Sequence, residues 1–379
     1  MDNNRIISDF REEKFKRYDA LSLPKWKRLR VKEIPLPEYK DYNKEFLSFN
    51  KKDLSNIKVR SILDDINSFE GLKDYLYIKE KFGVDEKLVT LSESLYNSGV
   101  VAYASNGNKN KAYIYVRYDM DKDNPVVLDH NIIVAKENSE VNILFDYASN
   151  SDTKVFHNGV TKVFAERGSV VNIIKIQRLS DISINLDSNI AKIEGNGKVN
   201  WISVDFGSEI NGTNYITNLN GDTSESNLSS VYIGDGDRKM DLGYSMVHRG
   251  RRSISNIETR GVLKDNARKV FRGNLDFKKG STRSKGVEEE YVILLDKTVK
   301  ADAIPALLCE EDDVEGEHAA SAGQVDENKL FYMMSRGLTE KEAKKLIIKG
   351  SFKPIVDRVN IEEFHNIINN EIDRRIIND

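Results

Sequence analysis

Cysteine occurs once, at Cys309. A single thiol cannot form an internal disulfide, and alone it can neither close a zinc site nor hold an iron–sulfur cluster. Proline is nearly as scarce, 6 in 379 residues, which argues for long stretches of ladder-paired or helical backbone rather than Pro-rich linkers. Neither charge dominates: Lys+Arg is 58 and Asp+Glu is 61, for a formal net charge of −3. A chain devoted to coating nucleic acid would be plainly basic. No apolar run approaches the ~18 residues a membrane span needs. The opening MDNNRIISDFREEKFKRYD is charged throughout, without the apolar core of a secretion signal. These absences lead to the expectation of a soluble, cytoplasmic protein. Wholesale disorder is excluded, because 39% of the residues are hydrophobic and 15 Phe and 16 Tyr supply a core.

Three zones differ in texture. Residues 1–92 read as a helical region, broken at IPLPEYKDY (34–42), with Ile62, Leu63, Ile66, Phe69 and Leu72 at helical spacing and a helix start near Trp26, just after Pro24. Residues 93–312 read as short strands alternating with Gly, Asn, Asp and Ser turns. Met240, Leu242, Tyr244, Met246 and His248 fall on one face of a strand, and Ile182, Ile184 and Leu186 alternate in the same way. The triplets Val141-Asn142-Ile143, Val171-Asn172-Ile173 and Val199-Asn200-Trp201 recur after the polar turns ENSE, ERGS and GNGK. A strand-turn unit of that period suits a parallel β-helix. The Asn-Gly pairs at 158–159 and 196–197 suit hairpins of an antiparallel sandwich or barrel, so the residues alone leave both open. Residues 313–379 read as a C-terminal helical domain. Asp326 caps its first helix, which Gly337 ends; Thr339-Glu340-Lys341-Glu342 opens a second as a capping box; Ile361, Phe364, Ile367, Ile368 and Ile372 stripe a third.

Motifs for common chemistries are missing. There is no P-loop and no G-x-S-x-G nucleophile elbow. Gly234-Asp235-Gly236-Asp237 lacks the ligand spacing of a Ca²⁺ loop and reads as a tight turn. Basic residues gather between 249 and 285, but acidic residues are interleaved with them, so a solvated flank outweighs a nucleic-acid stripe. His318 lies in GEHAAS, shortly after the acidic run Glu310-Glu311-Asp312-Asp313. Imidazole and carboxylate are donors that a borderline divalent metal such as Fe²⁺ accepts. Cys309, in IPALLC, reads as a small buried hydrophobe.

The segment PALLCEEDDVEGEHAASAGQVDENKLFYMMSRGLTEKEAKKLIIKG resembles the C-terminal signature of the SufB/SufD family, the scaffold proteins of the Suf iron–sulfur assembly system. HRGRRSISNIETRGVLKDNARKVFRGN, HNIIVAKENSEVNILFDY and LPKWK are similar to further family segments. The resemblance is to SufD rather than SufB, because no Cys stands between Gly286 and Lys300, where SufB members carry one. It implies a mainly β fold, a right-handed parallel β-helix between N-terminal and C-terminal helical regions. It also implies a non-catalytic scaffold subunit that holds no cofactor by itself and a transient iron or Fe–S cluster in a complex. The implied complex has one SufB, one SufD and two copies of the ATPase SufC. SufB would pair through the β-helix, and SufC would dock on the C-terminal helices. Phe331, Met334, Leu346, Ile347, Phe352 and Ile355 are more apolar side chains than two short helices can bury against each other, which marks them as the expected docking residues. The resemblance places His318 and Glu317 near the SufB–SufD interface as candidate metal residues. Gly316 stands where some SufD members carry Cys, and no ligand role falls on Cys309. The alternatives are a SufB-like homo-oligomeric scaffold, with a homodimer open to the isolated chain, and a nucleic-acid-binding solenoid using 249–285.

Overall fold

The computed structural model describes residues 3–38, 47–49, 57–64 and 71–376. Helices α1 (Asn3–Asp19), α2 (Leu72–Leu76) and α3 (Glu86–Leu95) lie in the N-terminal part, together with β1 (Leu47–Phe49) and β2 (Ile57–Ser61). The strand region then runs β3 (Val100–Ala104), β4 (Tyr113–Met120), β5 (Val126–Ala135), β6 (Glu140–Ser149), β7 (Phe156–Ala165) and β8 (Val170–Arg178). It continues with β9 (Ile184–Ile193), β10 (Lys198–Asp205), β11 (Ile210–Leu219), β12 (Glu225–Gly234), β13 (Lys239–His248) and β14 (Ile254–Leu263). Its last members are β15 (Arg268–Phe277), β16 (Ser284–Leu294), β17 (Lys300–Ala303), β18 (Ala306–Cys309) and β19 (Val314–Gln324). Helices α4 (Glu327–Ser335), α5 (Glu340–Val356) and α6 (Glu362–Ile376) close the chain.

From β3 to β17, successive strands alternate between two sheets; β18 joins the sheet of β17 and β19 returns to the other, and within each sheet neighbouring strands of this series pair in parallel. This is a parallel β-helix, so the antiparallel sandwich is excluded. One sheet has nine strands in the order β1-β4-β6-β8-β10-β12-β14-β16-β19; the other has ten, from β2 at one edge to β17 at the other. The repeated triplets mark the coil period. Val141, Val171 and Val199 stand in register, as do Asn142, Asn172 and Asn200. The valines point into the lumen. The asparagines point outward, where Asn172 Nδ2 donates to Asn142 Oδ1 (2.6 Å), Asn200 to Asn172 (2.7 Å) and Asn227 to Asn200 (2.9 Å). The polar turn before each triplet carries a left-handed residue: Asn138 (φ 55°), Gly168 (φ 68°) and Asn196 (φ 56°). Asn and Gly tolerate that conformation best, which is why this turn repeats in the sequence.

The outer faces of both sheets are covered. The ten-stranded sheet buries Val126, Leu128, Phe156, Ile184, Leu186 and Ile210 beneath Leu29, Val31, Ile34, Leu88 and Leu91 of the N-terminal segment. The nine-stranded sheet buries Ile174, Val204, Phe206 and Val231 beneath Ile348, Phe352, Ile355, Phe364 and Ile368 of α5 and α6.

Several sequence expectations need correction. No helix forms near Trp26. The chain turns back there, with Val31 N donating to Trp26 O (3.2 Å) and Arg30 left-handed, and the Trp26 ring lies over Gly212. The N-terminal region is not simply helical, because β1 and β2 pair antiparallel onto the sheets. Ile66, Phe69 and Tyr42 lie outside the described residues. The strand region extends past 312: β19 pairs with β16 through Gln324, so the C-terminal helices begin with α4 rather than at 313. Asp326 caps α4, Gly337 follows it with φ 96°, and the Thr339/Glu342 capping box opens α5, all where the sequence puts them.

Candidate functional site

The two ends of the β-helix differ. At the N-terminal end, antiparallel β1 and β2 close the sheet edges. At the C-terminal end the edges are β19 in one sheet and β17 and β18 in the other, and among the described residues no further strand pairs with them. Unpaired N–H and C=O groups along an edge are a template for another strand. Leu308 is 53% exposed and Leu307 38% exposed on β18, and the one cysteine, Cys309, is exposed beside them. The expectation that Cys309 is buried is therefore corrected: its strand forms, but no coil stacks above it.

His318 and Glu317 lie on β19, both exposed. Strand alternation decides where each points. Val314 packs on the lumenal core, and a Cβ on Gly316 would meet Leu307 and Phe277, so the even-numbered residues of β19 face inward. His318 thus faces the mouth of the lumen and Glu317 faces away from it. The column beneath His318 reads Ile143, Ile173, Trp201, Leu228, Ile257, Glu288. It is apolar until the last coils, where an acid and a histidine follow each other.

Glu288 is 1% exposed, and neither carboxylate oxygen has a hydrogen-bond partner. Burial, reinforced by Glu290, pushes its carboxyl up to about 7 against the pull of Lys269. Glu290 has firm partners: Lys269 Nζ donates to its Oε1 (2.5 Å) and Tyr232 OH to the same oxygen (3.2 Å). The acidic run before His318 serves the turn instead. Glu310 pairs with Lys278 (2.7 Å), Glu311 accepts from Gly280 N (2.9 Å), and Asp313 pairs with Arg283. Among the described residues, no group of three or more His, Cys, Asp and Glu side chains is gathered for a metal.

Sequence reading missed a polar network in the lumen of the middle coils, beside the apolar column. Tyr147 OH donates to Asp129 (2.9 Å), His157 bridges Asp129 (2.7 Å) and Asn185 (2.5 Å), and Asn185 donates to Asn211 (2.7 Å). Asn211 in turn donates to Asp205 (3.0 Å), whose carboxyl burial pushes up to about 6. Lys175 pairs with Asp187 (2.8 Å) in the same interior. The signal was the alternation Asn185-Asp187-Asn189, with like residues one coil away at Asn211 and Thr213.

The proposed docking residues separate into two sets. Phe331 (75% exposed), Met334 and Leu346 are free, joined by Tyr332, which sequence reading passed over; no residue of α4 is buried. Phe352 and Ile355 are buried against the nine-stranded sheet, and Ile347 is half-buried with them, so these three anchor the helices instead. The basic residues of 249–285 are largely neutralised by neighbouring acids. Arg251 pairs with Asp222, Arg260 with Glu258, Arg272 with Asp241 and Lys285 with Glu315, which leaves the nucleic-acid reading without support.

Residues 118–351 match the family described as SUF system FeS cluster assembly, SufBD core domain. The chain is 28% identical over 320 residues to the iron-sulfur cluster assembly protein SufD of Bacillus subtilis, covering 83% of this chain and 73% of that one. A SufBD family protein of Mycobacterium leprae is 26% identical over 325 residues, 81% of this chain and 36% of its own. One of Staphylococcus saprophyticus is 25% identical over 297 residues, 77% of this chain and 64% of its own. The chain thus spans between about a third and three quarters of the length of these curated relatives. No helix among the described residues is long and apolar enough to cross a membrane.

Proposed function

Because the chain belongs to the SufBD core family of the SUF iron–sulfur cluster assembly system, we propose that it is a SufD-type scaffold subunit. It works in the cytoplasm without catalysing a reaction itself. Its open C-terminal β-helix end pairs with a SufB-type β-helix, and α4 with the exposed side of α5 carries a SufC-type ATPase.

The observation that carries this reading is the asymmetry of the two ends. A β-helix capped at one end by antiparallel strands and left with bare edges at the other is built to continue into a second body. The exposed Leu307 and Leu308 supply apolar contact there. His318 is placed in that face, so an ion or nascent cluster handled at the junction would meet an imidazole from this chain. Iron is cargo on this reading, and the donor set is suited to it: imidazole replaces thiolate in Rieske centres. On α4, the neighbouring exposed Phe331, Tyr332 and Met334 form an apolar surface of the kind that marks a partner contact.

The test is affinity purification of the tagged chain from its own cell extract, with the bound chains identified. Recovery of SufB-type and SufC-type proteins is the expected result. A chain recovered only with copies of itself would favour the homo-oligomeric scaffold instead.

A further inference from the structure

We propose that Glu288, from the preceding coil, is a second ligand beside His318 for a divalent cation of the Fe²⁺ class at the mouth of the lumen. The inference rests on the reading of His318 as an iron ligand and adds to it a residue that no motif marks.

Glu288 and His318 are directly paired in register on β16 and β19. Neighbouring strands lie about 4.8 Å apart, and the two side chains share the lumenal face, a separation that a single ion can bridge with bonds of about 2.0–2.2 Å. The Glu288 side chain extends across the lumen. A Cβ on Gly273 would fall 2.6 Å from its Cγ and 3.0 Å from its Oε1. Above Gly273 the ladder is interrupted between β17 and β18, where Ile304 and Pro305 carry the chain across. The carboxylate therefore lies in the last full coil, on the rung directly below the one that carries His318.

Its chemistry is incomplete as it stands. A buried carboxylate group without a hydrogen-bond partner costs free energy, and both oxygens of Glu288 are in that state. The nearby ammonium of Lys269 is already bonded to Glu290. Glu288 is thus left without a hydrogen-bonded cation of its own, and a divalent cation held between Glu288 and His318 supplies the missing partner. The remaining coordination positions face the open end, where water or a group from a partner subunit can enter.

Co²⁺ titrated anaerobically into the purified full chain, followed by its d–d absorption and by calorimetry, tests this. The wild type is expected to bind one Co²⁺, with Glu288→Gln weakening it at least tenfold while the melting temperature is kept. Glu289→Gln, altering the outward-facing neighbour, should bind as wild type does, and Glu288→His should retain binding. Should Glu288→Gln fail to fold, the Glu288→His result decides, since loss of binding in that folded variant overturns the proposal. Wild-type affinity in Glu288→Gln means that a proton or water satisfies the carboxyl, and the proposal fails. If His318→Ala abolishes binding while Glu288→Gln does not, the His318 reading survives and only this inference falls. No binding by the wild type overturns both.

Discussion

Replacing Phe352 with Ala should destabilise the protein strongly, whereas replacing Phe331 with Ala should leave stability alone and weaken ATPase binding. Phe352 is 1% exposed, and its ring stacks on Phe206, the residue after β10, with centroids 6.3 Å apart. It lies among Ile348, Ile355, Ile368 and Ile372 on one side and Val204 and Val231 on the other. Truncating such a residue removes its burial and leaves a cavity, at a cost of about 3–5 kcal/mol. Phe331 is 75% exposed, and a surface change of that kind stays within about 0.5 kcal/mol. Urea unfolding followed by circular dichroism measures the first effect. Capture of a SufC-type ATPase by the immobilised chain measures the second. Wild-type stability in Phe352→Ala would refute the anchoring of the helices on the sheet. Unchanged ATPase capture by Phe331→Ala would refute the assignment of α4 as the docking face. Deleting everything after Gln324 is a poorer test, because it would uncover Ile174, Val204, Phe206 and Val231 on the outer sheet face.

Asp205→Asn should raise stability at neutral pH and flatten its pH dependence between about 4 and 6. The folded carboxyl titrates at about 6 against an ordinary 3.8, so its contribution is fully present below 3.8 and lost as pH rises through 6. At about 1.4 kcal/mol per unit this amounts to at most about 3 kcal/mol, and melting curves at pH 4 and 7 would show whether the difference vanishes in the variant. Arg375→Met should cost about 1–3 kcal/mol, since it removes a guanidinium 1% exposed from Asp235 and Asp181 and leaves buried Arg238 to pair with both. A melting temperature equal to wild type would count against that cluster as the clasp of α6. Leu308→Asp at the open end should keep the melting temperature but abolish recovery of the SufB-type partner; retained pairing would move the interface elsewhere.

Much of this architecture was legible in the residues. The Val-Asn-Ile triplets gave the coil period because each occupies the same rung position, with the Asn side chains bonded to one another. The capping residues Asp326 and Thr339 gave helix starts because a cap is a local hydrogen-bond pattern. Faces were harder to read. Alternation in β9 separates Ile184 and Leu186 from Asn185 and Asp187, but it cannot say which set faces the lumen. Here the apolar set faces outward beneath the N-terminal segment. For the same reason the stripe of α5 could not be divided into Phe352, which meets the chain's own sheet, and Leu346, which does not. Glu288 was hidden because its pairing with His318 depends on the register of β16 against β19.

Cys309 offers the most direct measurement of the central claim, that the open end of the β-helix is the partner face. It is the only cysteine of the chain and is exposed on β18 at that end. Its alkylation by iodoacetamide can be followed on its own peptide by mass spectrometry, free of the partner's thiols. Labelling should be rapid in the isolated chain and at least tenfold slower once the SufB-type subunit is bound. Equal labelling rates in the free and bound states would contradict the account.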